Sequence, residues 1–154
     1  MLCVSHPEQL PDLFLDRSLG RVVVPGILRR AGLRLTTSAE RYGAQHDQFV
    51  DDIEWLTDAG RRGEAVWMKD ARIFRNMLER QAVHDAAVRC FCLRDGTLTG
   101  PEMAAWFLRN VERMAEACAA PGPFCYIVYA DGIRLVPDRE RFTNGKDPRE
   151  AEPT

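Results

Sequence analysis

Two short apolar runs in this chain end on an aspartate: Phe14-Leu15-Asp16 and Met68-Lys69-Asp70. Each reads as a buried strand, and strands of one parallel sheet finish at the same end. Ligands of such sheets bind beyond the carboxyl ends of the strands, near the point where strand order reverses. A third carboxylate comes from the segment Asp51-Asp52-Ile53-Glu54-Trp55-Leu56. At about 100° per residue, Phe49, Ile53, Leu56, Ala59 and Gly60 share one arc, the expected core face. Asp52 falls inside that arc, while Glu54 falls opposite it with Asp51 and Asp58. A carboxylate facing the core must meet a partner, a metal or water, because a lone buried charge is costly. Carboxylates that face one another raise each other's pKa unless a cation offsets the charge. Magnesium prefers carboxylate and water oxygens. An ion held there orients water and stabilises charge building on a phosphodiester. Asp16, Asp52 and Asp70 are therefore candidate metal ligands and catalytic residues.

The same acids have ordinary uses. Aspartate caps helices at strand-to-helix junctions, so Asp16 and Asp70 could each be a cap, and Asp52 could cap its own helix. Other chemistries find less support. No G-x-x-x-x-G-K-S/T loop or G-x-G-x-x-G turn is present, which argues against the common nucleotide-binding motifs. Cys3, Cys90, Cys92, Cys118 and Cys125 form no C-x-x-C pair, and His6, His46 and His84 stand apart. That spacing speaks against zinc. Cys90 and Cys92 alternate in an apolar run and are expected as small buried side chains in a reducing compartment.

The elements that must position the acids are marked out by apolar runs and breakers. Strands are expected at 12–16, 33–37, 65–70 and 88–93, with helices at 22–31 and 51–62 closed by Gly32 and Gly63. Ser18 is placed to cap the segment after the first strand. Residues 38–50 show no period and read as a loop, and 71–86 as helical or irregular. Thr99 with Glu102 three residues on opens a helix expected to run to about residue 119. Strands 124–130 and 133–136 flank Asp131-Gly132, a hairpin signal. Alternating strands and helices imply an α/β fold in three layers: a mostly parallel sheet, helices on both faces, and a C-terminal antiparallel hairpin. Residues 1–11 read as an irregular segment, 12–136 as one domain, and 137–154 as a polar, disordered tail.

With 154 residues the chain has the length of one domain. Hydrophobic residues make up 45% and charged residues 29%, the balance of a globular protein with a core. The formal net charge is −2, so a polyanion would have to be drawn by a local basic patch. Apart from Lys69 and Lys146 the basic residues are arginines, suited to bidentate phosphate contacts. Arg17, Lys69, Arg72 and Arg75 lie close in sequence to the acids and could meet phosphates or neutralise the carboxylates. Trp55, Trp67 and Trp106 are expected in the core. No apolar run approaches the length of a membrane span, and no basic leader with an apolar stretch opens the chain. The cytoplasm is the expected location.

Taken in order, FLDRSLG at 14–20, the D-x-E-W-L run at 52–56, AGRRGEAVWMKDARI at 59–73, FCLRDGTLTGPEM at 91–103 and PGPFCYIVYADGI at 121–133 resemble the PIN-like proteins related to VapC toxins. The resemblance spans roughly residues 12–136. It implies a PIN-like fold and an Mg2+- or Mn2+-dependent endoribonuclease, the toxin of a type II toxin–antitoxin pair. RNA would be the substrate, with an antitoxin partner and a homodimer as further implied associations. It maps the first acid to Asp16, the helix acid to Asp52 and the later strand-end acid to Asp70. Glu54 is a second candidate, since the acidic segment aligns to either residue. Two departures stand out. Met68 occupies a position where many relatives have threonine, and the only acid available as a fourth ligand is Asp95, in a turn-like Arg-Asp-Gly. The second departure suggests an alternative function: a catalytically degenerate PIN-like module acting by protein–protein interaction. A receiver-like acceptor aspartate ranks below both, because the strand end reads D-R-S rather than D-x-D.

Overall fold

The computed structural model describes residues 5–69 and 81–137. Its framework is one six-stranded sheet. The strands are β1 (Leu13–Leu15), β2 (Leu35–Thr37), β3 (Ala65–Met68), β4 (Arg89–Leu93), β5 (Phe124–Tyr129) and β6 (Gly132–Leu135). They lie in the order β2-β1-β3-β4-β5-β6, the first five parallel and β6 antiparallel to β5. Strand order reverses direction at β1, which has β2 on one side and β3 on the other.

Side-chain alternation divides the core into two layers. Leu13, Leu15, Trp67 and Phe91 face one side, packed with Leu28 of α1 (Val23–Arg30), Phe107 of α5 (Gly100–Arg109) and Met114 of α6 (Val111–Ala117). The indole of Trp67 stacks on Phe107 at 4.4 Å. Phe14, Val66, Met68, Cys90 and Cys92 face the other side, against Trp55, Leu56 and Ala59 of α3 (Asp52–Arg61) and Val83 of α4 (Gln81–Asp85). These are the expected three layers, helices on both faces and terminal hairpin. Cys90 and Cys92 are buried thiols, as expected, Cys118 and Cys125 are buried too, and burial pushes the Cys90 pKa well up. No helix among the described residues is long and apolar enough to cross a membrane.

Three local expectations need correction. Residues 38–50 are not a plain loop: α2 (Ser38–Tyr42) is followed by a 3-10 turn over Asp47–Phe49. A capping box between Thr37 and Glu40 starts α2, and the T-x-x-E spacing was visible in the sequence. The expected helix from residue 100 to about 119 breaks at Asn110 into α5 and α6. Fully buried Asn110 donates from Nδ2 to the carbonyls of Trp106 and Tyr129, 2.8 and 2.7 Å away, tying the break to β5. Phe49, placed on the core arc of the third helix, precedes that helix and is 76% exposed, so helical periodicity does not reach it. The expected tail from residue 138 onward lies outside the described residues.

Candidate metal centre

Asp16 follows β1 at the strand-order reversal, level with Met68 of β3. Its backbone N–H donates to the Trp67 carbonyl at 3.0 Å. Its carboxylate, rather than the Ser18 side chain expected there, caps the 3-10 helix Arg17–Leu19 by accepting the Ser18 N–H at 3.1 Å. Ser18 has a different task. Its hydroxyl oxygen accepts the Lys69 N–H at 3.3 Å, joining the loop after β1 to the end of β3. A Ser two residues after a strand-end Asp is the pattern that could have suggested this link.

Asp16 is only 6% exposed. Burial raises its pKa, the Ser18 hydroxyl and the N–H groups of Ser18 and Arg17 oppose the rise, and the charge of Asp52 adds to it. The charge of Asp52 is thus near enough to act on Asp16. Alternation accounts for it, since Asp16 falls on the same face of the sheet as Phe14, Met68 and Cys92, the face that α3 covers.

Asp52 is the first residue of α3, half-buried, with Asp51 in the capping position before it. It does not cap its own helix. Its Oδ1 accepts the indole N–H of Trp55 at 3.0 Å, one turn on. The core face of α3 is Trp55, Leu56 and Ala59, so Asp52 shares it at the spacing i, i+3, i+4, i+7. Glu54 is exposed and points elsewhere, lining a cavity of about 510 Å3 with Arg41, Tyr42 and Arg61. Asp52 thus lies on the core-facing side of α3, where its charge acts on Asp16, and Glu54 does not.

Asp70, Arg72 and Arg75 lie outside the described residues. Lys69, the residue before Asp70, is half-buried, and Arg17 is exposed. Among the described residues no three histidine, cysteine, aspartate or glutamate side chains group as metal ligands. Asp95 is occupied as a turn residue: Oδ1 accepts the Thr97 N–H at 2.8 Å and its hydroxyl at 2.6 Å, bonds that hold its pKa low. Trp55 and Trp67 are core residues, as expected, and Trp106 packs partly buried against the core.

A second electrostatic cluster braces α3 from outside. Arg41 forms a bidentate pair with Glu64 at 2.6 Å for both bonds, with side-chain exposures of 9% and 10%. Its guanidinium also lies 4.8 Å over the Phe14 ring. The Tyr42 hydroxyl donates to Asp58 at 2.9 Å. Burial, then that bond, pushes the Tyr42 pKa up to about 12. These contacts fix α2 and α3 against β1, the strand that delivers Asp16.

The family model described as "PIN like domain" matches residues 11–95. A protein of Mycobacterium tuberculosis named "Putative ribonuclease VapC45" is 40% identical over 127 residues, covering 82% of this chain and 92% of that protein. No solved structure matches the chain significantly. A family model over more than half of the sequence and a relative of that identity over most of both chains agree with the mostly parallel sheet and its terminal hairpin: the chain belongs to the PIN-like domain family and is VapC-like.

Proposed function

We propose that this protein is a divalent-metal-dependent endoribonuclease, the toxin of a type II toxin–antitoxin pair, working on RNA in the cytoplasm. Residues 12–136 would form the catalytic domain. One observation carries the reading: a buried carboxyl, Asp16, sits at the strand-order reversal beside a second acid, Asp52, with its pKa raised by burial and by that neighbour. Such a pair is poised for a cation, because a positive charge relieves both the desolvation and the repulsion. The name of the mycobacterial relative supports RNA as the substrate.

Asp16, Asp52 and Asp70 would hold Mg2+ or Mn2+. Asp70 follows Lys69 in the sequence, and the Lys69 N–H donates to the Ser18 hydroxyl oxygen at 3.3 Å. The donor set is all oxygen, the chemistry these ions prefer. When bound, the ion supplies a Lewis acid for the phosphodiester and lowers the pKa of a coordinated water. The protein's own part is positioning. Ser18 holds the Asp16 carboxylate and the Trp55 indole holds one oxygen of Asp52, which orients both carboxylates for the ion. Family membership also supports an antitoxin as partner and a homodimer as the assembly.

One observation favours the alternative of a degenerate module acting by protein–protein interaction: Asp95, the acid available as a fourth ligand, is taken up by Thr97. A single experiment separates the two readings. Purified protein should cleave single-stranded RNA with Mg2+ or Mn2+ and not with EDTA, and Asp16→Asn and Asp70→Asn should each abolish cleavage. Absence of metal-dependent cleavage in the wild type supports the degenerate module. Cleavage unchanged in both variants overturns the site.

A further inference from the structure

Three neighbouring strands each hand over to a cation within two residues of their ends. Arg17 lies two residues past Leu15 of β1, Lys69 directly follows Met68 of β3, and Arg94 directly follows Leu93 of β4. Leu15 pairs with Trp67 and Met68 with Cys92. Continued by one residue, the β3–β4 register sets Lys69 level with Leu93, with Arg94 one residue beyond, while Arg17 opens the 3-10 helix after β1. At about 4.8 Å between strands, the ends of β1 and β4 lie about 10 Å apart. The turn after β4 closes on the site: a Cβ built on Gly96 would lie 3.9 Å from the Lys69 carbonyl oxygen.

Arg94 is placed firmly by its backbone, and among the described residues its side chain makes no hydrogen bond or ion pair, though its charge acts on the neighbouring Asp95. Its N–H donates to the Val128 carbonyl at 2.8 Å, which fixes its backbone. Its side chain is exposed, and the adjacent Asp95 is turned onto Thr97. Among the described residues Arg17, Lys69 and Arg94 form no ion pair. A polyanion approaching Asp16 and Asp52 meets two like charges on a chain of net charge −2. Cations beside the carboxylates are what offset that repulsion, and arginine matches phosphate in a bidentate way.

We propose that Arg94 contacts a backbone phosphate of the RNA strand and completes, with Arg17 and Lys69, a cationic arc along the strand ends beside the carboxylates. The proposal rests on the ribonuclease reading and adds to it the direction of the bound strand, from β1 across β3 to β4.

The test is binding of a fluorescent single-stranded RNA in EDTA, without cleavage, at salt concentrations from about 50 to 200 mM. Removing one phosphate contact to a single strand lowers the slope of log K against log salt by about 0.7. Arg94→Ala should bind more weakly with a slope reduced by about that amount, whereas Arg94→Lys should keep the slope. Arg134→Ala, on the edge strand β6, should match the wild type. An Arg94→Ala protein with wild-type affinity and slope overturns the role of Arg94 and leaves the ribonuclease reading standing. An acidic protein segment would then be the better partner for this arginine. A wild type that shows no salt-dependent RNA binding overturns both.

Discussion

Replacing Asp16 with asparagine should move stability in opposite directions depending on metal. In EDTA the wild-type carboxyl is a burden. Its folded pKa is raised by burial first and by Asp52 in addition, above an unfolded value of about 3.9. The folded state therefore binds the proton more tightly than the unfolded state. Stability is lost as pH rises from about 4 through the folded pKa, and the whole deficit is present above it. Each unit of separation between the two values costs about 1.4 kcal/mol. Asparagine removes the charge and the repulsion while its carbonyl oxygen can still accept the Ser18 N–H. Metal reverses the balance. At about 100 times its Kd an ion bound only to the folded state adds about 2.7 kcal/mol. At about 2–4 °C per kcal/mol that is a rise in Tm of about 5–11 °C. Thermal unfolding of both proteins between pH 4 and 8, in EDTA and in Mn2+, reads all of this. Asp16→Asn should melt above the wild type in EDTA at pH 7.5, converge with it near pH 4, and gain nothing from Mn2+. A variant that melts below the wild type in EDTA and still rises with Mn2+ refutes both the electrostatic account and the ligand assignment.

The geometry of α3 and its brace sets two further outcomes. Asp52→Asn should lower metal-dependent cleavage about 10²–10³-fold, the loss expected when several kcal/mol of transition-state stabilisation go. Glu54→Gln, on the exposed face, should stay within about twofold of the wild type, and equal losses in the two variants would undo the choice between these acids. Glu64→Gln takes the bidentate partner from the buried Arg41 guanidinium, leaving it Asp58 at 3.9 Å, and should cost up to about 3–5 kcal/mol, lowering Tm by up to about 6–20 °C, with cleavage per folded molecule retained at low temperature. A melting point within two degrees or so of the wild type would mean that the pair is effectively solvated.

The framework was legible because each strand is a short apolar run punctuated by charge or glycine. Leu13–Leu15, Ala65–Met68 and Arg89–Leu93 are buried almost throughout, as strands covered on both faces must be. The helix α2 was missed although Thr37 and Glu40 announced it, because a five-residue helix carries no period to read. The break at Asn110 was illegible for another reason. A polar residue inside a helical pattern gives no sign that a carbonyl 19 residues away, that of Tyr129, will accept its amide. The role of Ser18 is of the same kind, since it depends on the Lys69 N–H of a distant strand.

Asp52 lies on the core side of α3 and Glu54 off it, as the helical arc implies, although the arc itself is partly misplaced. The wheel placed Phe49 in the core, where it is not, and left Trp55 out of the arc, though it is buried at 4%. Asp52 survived because it lies one turn from both Trp55 and Leu56, so rotating the arc toward the true core face keeps it inside. Glu54 is excluded by the same rotation, and it faces Arg41 and Arg61 across a cavity instead. What no wheel could supply is the meeting with Asp16. That requires β1 to turn its Phe14 and Asp16 toward α3, and α3 to be held by Arg41, Glu64, Tyr42 and Asp58. The ionic brace on the outside of the helix and the carboxylates on its inside therefore belong to one device. A loosened brace should let α3 move away from β1, and Asp52 from Asp16, before the sheet itself unfolds.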